Sequence, residues 1–544
     1  MPLNNRDAAS TLASLPIQFL FWLAVIVALK WPTLAEPPVW DAAFGLFPAA
    51  GALADSGFDL RAVMQMPTYS QGGPNCHADS LVTWLTAAVL MAVGKGPQAL
   101  AVLHMLHFCA GAWTLAVLHR FVSDSIGRRE AWLICATLLA CPLFRVQIGA
   151  MYIELPLAAC TISALHAYAS GRFGRAMIWS MLAVMVKQSG VIVTGTLIAA
   201  VLMRRASWSR RIGLAAGFGL TGGLAAAWPL IGSLQLAAIS SQTAFENWWA
   251  YMRWYHVPYL RAIPDITLAF GAFSILGLLQ IRRVCESLRA VPDSDSSPQT
   301  SPQTPPHPET VLTQLSHAPT NHLGLAYLMC LAFAGFFFLV PFVAKLDIFC
   351  LPRYFVFILP LVVYGLTHLL CVQVSRRAAS VCLIGAIIGF AANRDGRWYP
   401  ESRGNNLAVI ERTESYRWLV QAQQAAAQAA ADIVGDDLLL YGLPEHYFFQ
   451  HSWMGYSNRK PAGGRCVTLS QERPFPFQIT ALPDRFFVLL DASLLGGRDL
   501  KSLLREAESD PTRKVRLTRG FTHGPFSVNL FEVTTVEPLA GPAQ

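Results

Sequence analysis

The chain has 544 residues, of which 54% are hydrophobic and 14% are charged, and its mean hydropathy is +0.41. These values exclude an ordinary soluble domain and indicate a polytopic membrane protein. The formal net charge is +8, but the arginines occur in pairs and triplets between apolar runs rather than on one basic face or tail. We therefore interpret them as topology signals and expect no nucleic-acid partner.

Apolar runs predict a membrane-spanning α-helical protein with about 11 transmembrane helices. The first span covers about residues 13–30, and the others follow at about 98–118, 131–148, 155–170, 176–187, 189–203, 212–230, 265–281, 323–343, 354–372 and 378–392. The count depends on the short apolar run at 81–94, which we interpret as a juxtamembrane helix. This choice keeps the arginine-rich loops in the cytoplasm, with the N-terminus inside and the C-terminus outside.

Two long segments interrupt the predicted transmembrane module of residues 1–392. Residues 31–97 form the first outer loop. Residues 284–322 are rich in Pro, Ser and Thr and low in apolar residues. Such a composition cannot build a core, so it predicts a disordered cytoplasmic linker.

The composition changes after the last predicted span. Residues 413–434 are rich in Ala and Gln and predict a helix, while Leu438–Tyr441 and Phe486–Asp491 predict strands. A hairpin is predicted around Gly524. Residues 393–544 are therefore predicted to form a soluble α/β domain on the outer, periplasmic side.

Five charged residues lie at the outer ends of predicted spans or in outer loops. Asp41 can act as a helix N-cap, and Glu154 suits the positive end of a helix dipole. Arg145, Lys187 and Arg353 can reach the interface as isolated surface cations. The functional alternative is that they meet, because charged groups at membrane depth are costly and usually serve a site. Two carboxylates and several cations at one level suit a base and a leaving phosphate.

His77 and Asp79, in the first outer loop, are candidates for direct contact with a substrate or a metal ion. Among the eleven cysteines, Cys76, Cys350 and Cys466 fall in segments predicted to be outside. A disulfide among these three is open, since nothing in the sequence determines their distance. A divalent metal ion likewise stays open, and no cofactor is certain.

The order of these motifs resembles the GT-C superfamily of membrane glycosyltransferases, in particular its aminoarabinose and protein-mannose transferase branches. The resemblance covers about residues 13–392. It rests on Asp41 followed by Ala50, Gly57 and Asp59; on His77-Ala78-Asp79; on Glu154-Leu155-Pro156-Leu157; on Lys187; and on Arg353-Tyr354 leading to Pro360. The two prolines that follow the His or Lys in the family are absent here, as are its acidic or Glu-Lys pairs in the first loop.

The resemblance implies transfer of a sugar from a polyprenyl-phosphate carrier to a lipid, glycan or protein acceptor. The reaction is expected on the outer face of a bacterial inner membrane. Asp41 would be the general base and Glu154 would orient the acceptor or a cation. Lys187 and Arg353 would bind the phosphate, with Arg145 and Tyr354 as further substrate contacts. One alternative is a polytopic transporter or lipid flippase with a periplasmic domain. A second is a non-catalytic assembly or sensor protein, in which the outer domain is the binding module and Asp41 is only a helix cap.

Overall fold

A computed structural model describes residues 5–39, 42–59, 80–204, 206–237, 264–279, 321–339, 352–394, 413–442, 448–449, 451–459, 461–466, 479–491 and 497–536. Most of these residues are helical. The helices are α1 (Asn5–Lys30), α2 (Phe47–Asp55), α3 (Leu81–Val93), α4 (Pro97–Ser123), α5 (Arg128–Ala140), α6 (Pro142–Ala150), α7 (Glu154–Ala169), α8 (Phe173–Val186), α9 (Val191–Met203), α10 (Trp208–Ala237), α11 (Pro264–Leu279), α12 (Asn321–Ala334), α13 (Leu359–Gln373), α14 (Arg376–Ala392), α15 (Tyr416–Ile433) and α16 (Gly497–Ser509).

Within the described residues, two helical segments are long and apolar enough to cross a membrane, Leu15–Thr33 and Pro97–Ser123. Helices α5 and α6 meet the same criterion together, but they are bent by 65°. The continuous helix predicted at 131–148 is thus two helices, because Pro142 cannot donate a hydrogen bond and Cys141 before it is extended. The remaining apolar helices are shorter, so the prediction of eleven spans stays a prediction.

Helix α3 corresponds to the apolar run at 81–94. The Ser80 side chain accepts a hydrogen bond from the Val82 backbone N–H and caps its start. Its 13 residues extend about 20 Å, which is less than the hydrocarbon thickness of about 30 Å. This length agrees with a juxtamembrane helix, and its orientation stays a prediction.

The chain forms two compact units, each built from separate stretches of sequence. The first comprises Met1–Trp31, Leu106–Gly149 and Ile153–Ser402. The second comprises Pro32–Met105, Ala150–Tyr152 and Arg403–Gln544. Much of the predicted first outer loop is therefore grouped with the C-terminal segment. The predicted domain division after residue 392 stays a prediction.

In the first unit, helices pack in a network around α7. This helix contacts α8, α9 and α12, and it also contacts a 3-10 turn at Pro352–Phe357. Helix α9 packs on α10 and α12, while α13 packs on α11, α12 and α14. Three breaks between helices lie at α7 or its neighbours in this packing: the start of α7, the turn between α8 and α9, and the 3-10 turn before α13. The candidate site is formed by these breaks.

The second unit contains a five-stranded mixed sheet in the order β2-β1-β3-β5-β4. Its strands are β1 (Leu438–Tyr441), β2 (Gly463–Cys466), β3 (Arg485–Asp491), β4 (Arg513–His523) and β5 (Phe526–Thr535). Strand β1 is parallel to β2 and β3, whereas β5 is antiparallel to β3 and β4. The predicted helix, strands and hairpin are present at their predicted positions, and the C-terminal α/β fold is confirmed.

Helices cover both faces of this sheet. Phe487 and Leu489 of β3 pack in one core with the alanine-rich face of α15. Phe486, Val488 and Leu490 alternate to the other face and pack with leucines of α16. A central strand buried on both faces carries a continuous apolar run, as the sequence Phe-Phe-Val-Leu-Leu does.

The first outer loop packs against the C-terminal segment within the second unit. Arg417 pairs with Glu36 at 2.5 Å, and the buried Tyr456 hydroxyl donates to the Pro38 carbonyl at 2.7 Å. The ring of Trp453 stacks on Phe47 at 6.1 Å between ring centroids. Polar and aromatic contacts thus join segments that are about 400 residues apart in sequence.

Several sequence predictions fall outside the described residues. They concern Asp41, His77 and Asp79, the cysteines Cys76 and Cys350, and nearly all of the linker at 284–322. Cys466 is the last residue of β2. These predictions stay as stated.

Candidate functional site

Three interruptions in the helices of the first unit carry four of the five predicted site residues that the structure describes. Glu154 is the first residue of α7, and Lys187 follows the last residue of α8 in an extended conformation. Arg353 and Tyr354 lie in the 3-10 turn before α13. All four residues therefore lie where a helix begins or ends or in the turn before it.

Local sequence explains each interruption. Pro156 lies in the first turn of α7, where its missing N–H is no loss. Pro360 similarly lies in the first turn of α13. At the α8–α9 turn, a Cβ on Gly190 would lie 2.2 Å from the Ala183 carbonyl oxygen. Only glycine permits this approach, which places Lys187 at the end of α8.

Glu154 is the centre of an ion cluster. Its Oε1 accepts from Lys187 Nζ at 2.5 Å and lies 3.2 Å from Arg353 Nε. The Glu154 and Arg353 side chains are 2% and 4% exposed, whereas that of Lys187 is 16% exposed. One carboxylate oxygen therefore holds two cations together, and Lys187 is the most accessible member of the cluster.

Tyr354 adds an aromatic face to these charges. Lys187 Nζ lies 3.7 Å from the centroid of the Tyr354 ring, and Arg353 Cζ lies 5.4 Å from the same centroid. The ring also packs on Phe337, which follows α12, with centroids 5.5 Å apart. A cation near a ring face is attracted by the ring quadrupole. The ring thus contacts both cations that Glu154 binds.

The cluster can stabilise negative charge. It contains two positive side chains and one negative side chain, and removing such charges from water is costly unless they are paired. Glu154 lowers the repulsion between Lys187 and Arg353 and holds them close together. Cations held in advance need little reorganisation when negative charge develops nearby.

Four of the predicted site residues are thus in contact: Glu154, Lys187, Arg353 and Tyr354. Arg145 is half-buried on α6, and its role stays a prediction. Asp41 lies outside the described residues, and its role stays a prediction.

Sequence reasoning missed a second group of side chains, Asp124, His166 and His322, which are of the types that bind metal ions and lie close together. These residues belong to three separate segments of the first unit, and no spacing in the sequence connects them. The only local signal was a histidine close to the end of an apolar run, which is a common feature of membrane helices.

No family model matches the chain, and no curated protein matches it. Among solved structures, the chain is similar to ArnT from Cupriavidus metallidurans bound to undecaprenyl phosphate, with 15% identity and a TM-score of 0.43. The alignment covers 96% of this chain and 99% of that one. The apo state of the same ArnT aligns with 14% identity and a TM-score of 0.41, over 94% and 98% of the two chains. The similarity is a loose one of fold, so the proposals below rest on this chain's own residues.

Proposed function

We propose that the chain is an integral membrane glycosyltransferase that takes a sugar from a polyprenyl-phosphate donor. The observation that carries this proposal is the shared contact of Lys187 and Arg353 with one buried oxygen of Glu154. A glycosyl phosphate donor carries one negative charge on its phosphodiester, and the departing polyprenyl phosphate gains another. Cations beside the phosphate therefore bind the transition state more strongly than the ground state.

In this proposal the acceptor hydroxyl attacks the anomeric carbon, and the bond from that carbon to the phosphate oxygen breaks. The acceptor proton passes to a carboxylate, for which Asp41 is the candidate. His77 and Asp79 are further candidates for substrate or metal contact. The acceptor is a lipid, glycan or protein on the outer face of the membrane.

From the sequence, Glu154 has two alternative roles, orienting the acceptor or orienting a cation, and its contacts favour the second. Because one oxygen of Glu154 contacts both Lys187 and Arg353, Glu154 is proposed to position these two cations rather than the acceptor. Arg353 uses Nε toward Glu154. A guanidinium presents its N–H donors in a planar fork that can match two phosphate oxygens at once. Lys187 supplies a point charge beside it.

Phosphate recognition is tested by comparing two probes that differ in one group. Purified protein in lipid nanodiscs should bind farnesyl phosphate more tightly than farnesol, by roughly tenfold or more for a charge-assisted bidentate contact. Arg353→Lys should reduce this preference, and Arg353→Ala should abolish most of it. Equal affinity of the wild-type protein for the two probes would contradict a phosphate site.

Arg204 offers a matched control for Arg353. Its side chain is also buried, and its guanidinium carbon lies 4.8 Å from the centroid of the Phe173 ring. Arg204→Lys should leave the preference for farnesyl phosphate unchanged. An equal loss in the Arg204 variant would mean that the effect reflects general damage rather than phosphate binding.

Chemical conversion separates the proposal from the transporter alternative. Vesicles that contain the protein should convert a radiolabelled polyprenyl-phosphate pentose or hexose into free polyprenyl phosphate and a labelled product. A transporter or flippase would move the labelled lipid across the bilayer intact. Movement without conversion, with a full panel of sugars and a membrane extract as the source of acceptor, would overturn the enzymatic proposal.

A further inference from the structure

Three metal-ligating side chains of the first unit meet at the end of α7 that lies away from Glu154. Asp124 follows α4, His166 lies in the last turn of α7, and His322 is the second residue of α12. Their ligand atoms all lie within 4.8 Å of one another. His166 is twelve positions after Glu154 on one helix, which corresponds to about 18 Å along the axis. The two clusters are therefore separate sites.

The geometry between Asp124 and His166 is that of two ligands rather than of a hydrogen-bonded pair. Asp124 Oδ2 and His166 Nδ1 are 3.9 Å apart, which is too long for a hydrogen bond. His166 Nδ1 is buried and has no hydrogen-bond partner among the described residues. Tetrahedral zinc places its ligand atoms about 3.3 Å apart, so small side-chain rotations would complete such a site.

The surroundings hold two of the ligands in place. The His322 ring is buried and packs edge-on against Phe121, with centroids 4.5 Å apart. The backbone N–H of Asp124 donates to the Arg120 carbonyl at 2.9 Å, which continues the last turn of α4. Helices α7 and α12 also contact each other. The ligands therefore start close to the positions that a metal ion requires.

Two cations compete with a metal ion for Asp124. Burial raises the pKa of Asp124 above its ordinary value, and the charges of Arg120 and Arg172 offset only part of this rise. Because these guanidiniums attract the carboxylate that a metal ion would need, we expect weaker binding than at a closed site of four cysteines and histidines. Two imidazoles and one carboxylate suit zinc and neighbouring transition metals, and they leave a fourth position for water or an anion.

We propose that Asp124, His166 and His322 form a binding site for a zinc-class divalent metal ion, which links the ends of α4, α7 and α12. The site would act on stability rather than on sugar transfer, since it lies one helix length from Glu154. It is independent of the proposed function, and its test does not use activity.

The test uses purified full-length protein stripped with a chelator and then dialysed against zinc. Metal analysis should find about one more zinc per chain in the wild type than in the triple variant Asp124→Asn, His166→Gln and His322→Gln. Cobalt should give the visible absorption of a tetrahedral centre in the wild type alone. Zinc should also raise the melting temperature of the wild type but not of the triple variant.

His368→Gln is the matched control, because His368 is a partly buried histidine on α13 outside the cluster. It should retain the extra zinc. If the triple variant does not fold, Asp124→Asn alone decides the question, since the Asp124 side chain is 49% exposed and tolerates the change. Equal zinc in the wild type and in a folded cluster variant, or equal loss in His368→Gln, would overturn the proposal.

Discussion

At the scale of single residues, the buried Glu154 carboxylate pairs with both Lys187 and Arg353. An almost completely buried carboxylate costs several kcal/mol unless it is paired, and here two cations share one of its oxygens. The same contacts serve structure and proposed function. Mutagenesis can separate the two, because stability and phosphate use need not change together.

The first prediction concerns Glu154→Gln. This change conserves volume but leaves Lys187 and Arg353 without their shared anion, and removal of one partner from a buried pair costs about 3–5 kcal/mol. We expect a lower melting temperature and lower turnover. Adding Lys187→Met removes one of the two repelling cations, so it should restore much of the stability but none of the turnover. A double-mutant cycle of Glu154→Gln and Lys187→Met, followed by melting temperature and by turnover, measures the two effects separately.

Glu130 supplies the control for this cycle. It is a buried glutamate in the first turn of α5, as Glu154 is in the first turn of α7. Glu130→Gln should leave turnover intact, whatever its effect on stability. Recovery of turnover in the Glu154 and Lys187 double variant would assign the cluster a purely structural role.

At the scale of helices and turns, the breaks between helices determine the positions of the charged side chains of the site. The α8–α9 turn is tight because Gly190 lies against the last turn of α8, and its N–H donates to the Lys187 carbonyl at 2.8 Å. The position of Lys187 therefore depends on a neighbouring residue that has no chemistry of its own.

The second prediction follows from this contact. In Gly190→Ala, the new methyl group overlaps the Ala183 carbonyl oxygen, so the turn must open and Lys187 must move away from Glu154. We expect a lower melting temperature and a weaker preference for farnesyl phosphate. Gly195→Ala, on α9, is the control because no atom lies within 4 Å of its new Cβ. A helical Gly→Ala change of this kind stabilises by up to about 1 kcal/mol. Similar behaviour of the two variants would refute the role of the turn.

The third prediction concerns pH and the C-terminal sheet. Glu532 on β5 accepts from Arg485 Nε on β3 at 2.8 Å and from Arg516 on β4 at 2.5 Å. Burial raises the pKa of Glu532, but the two arginines together lower it by more, so the pKa lies below its ordinary value of 4.5. The ionised carboxylate therefore stabilises the sheet above that value, and this stabilisation is lost as pH falls through the lowered pKa.

Glu532→Gln removes this contribution at every pH. We expect the melting temperature of the wild type to fall more steeply between pH 7 and about pH 3 than that of the variant. Asp432→Asn is the control, because Asp432 pairs with Arg459 at an exposed position where ion pairs contribute little. Its pH dependence should match the wild type. Parallel curves for the wild type and Glu532→Gln would exclude the coupling.

At the scale of the whole molecule, the chain is organised as two units, each built from stretches that are separated in the sequence. The first outer loop joins the C-terminal sheet in the second unit through Arg417 and Tyr456. Both units depend on contacts between residues that are hundreds of positions apart. Neither unit is therefore a simple N-terminal or C-terminal half.

The fourth prediction tests the membrane topology. On a background without native cysteines, Ser170→Cys should react with a membrane-impermeant maleimide only after the membrane is opened, because the arginine-rich loop around it is predicted to be cytoplasmic. Asp436→Cys should react before the membrane is opened. Both positions are exposed, so accessibility in the folded protein is not limiting. Labelling of Ser170→Cys from outside would reverse the proposed face of the reaction.

Helices, strands and turns that have a pattern in their own sequence could be predicted. The alanine-rich face of α15 repeats every three to four residues, β3 is a continuous apolar run, and Gly524 marks the hairpin turn with a positive φ of 57°. The break at Cys141 also had a local signal in Pro142, but a long apolar run concealed it. The number of spans depends on how short helices are arranged, so it does not follow from hydropathy alone.

The sequence by itself predicted the long apolar helices, the α/β fold of the C-terminal segment and the residue types of the candidate site. Backbone hydrogen bonds form within each helix, so periodicity along the chain is sufficient to predict a helix such as α15. Only the tertiary structure decided that Glu154 holds both cations and that the first outer loop joins the second unit. It also decided that Asp124, His166 and His322 meet. These contacts join distant segments through side-chain packing and charge, and that kind of interaction leaves no periodic pattern in the chain.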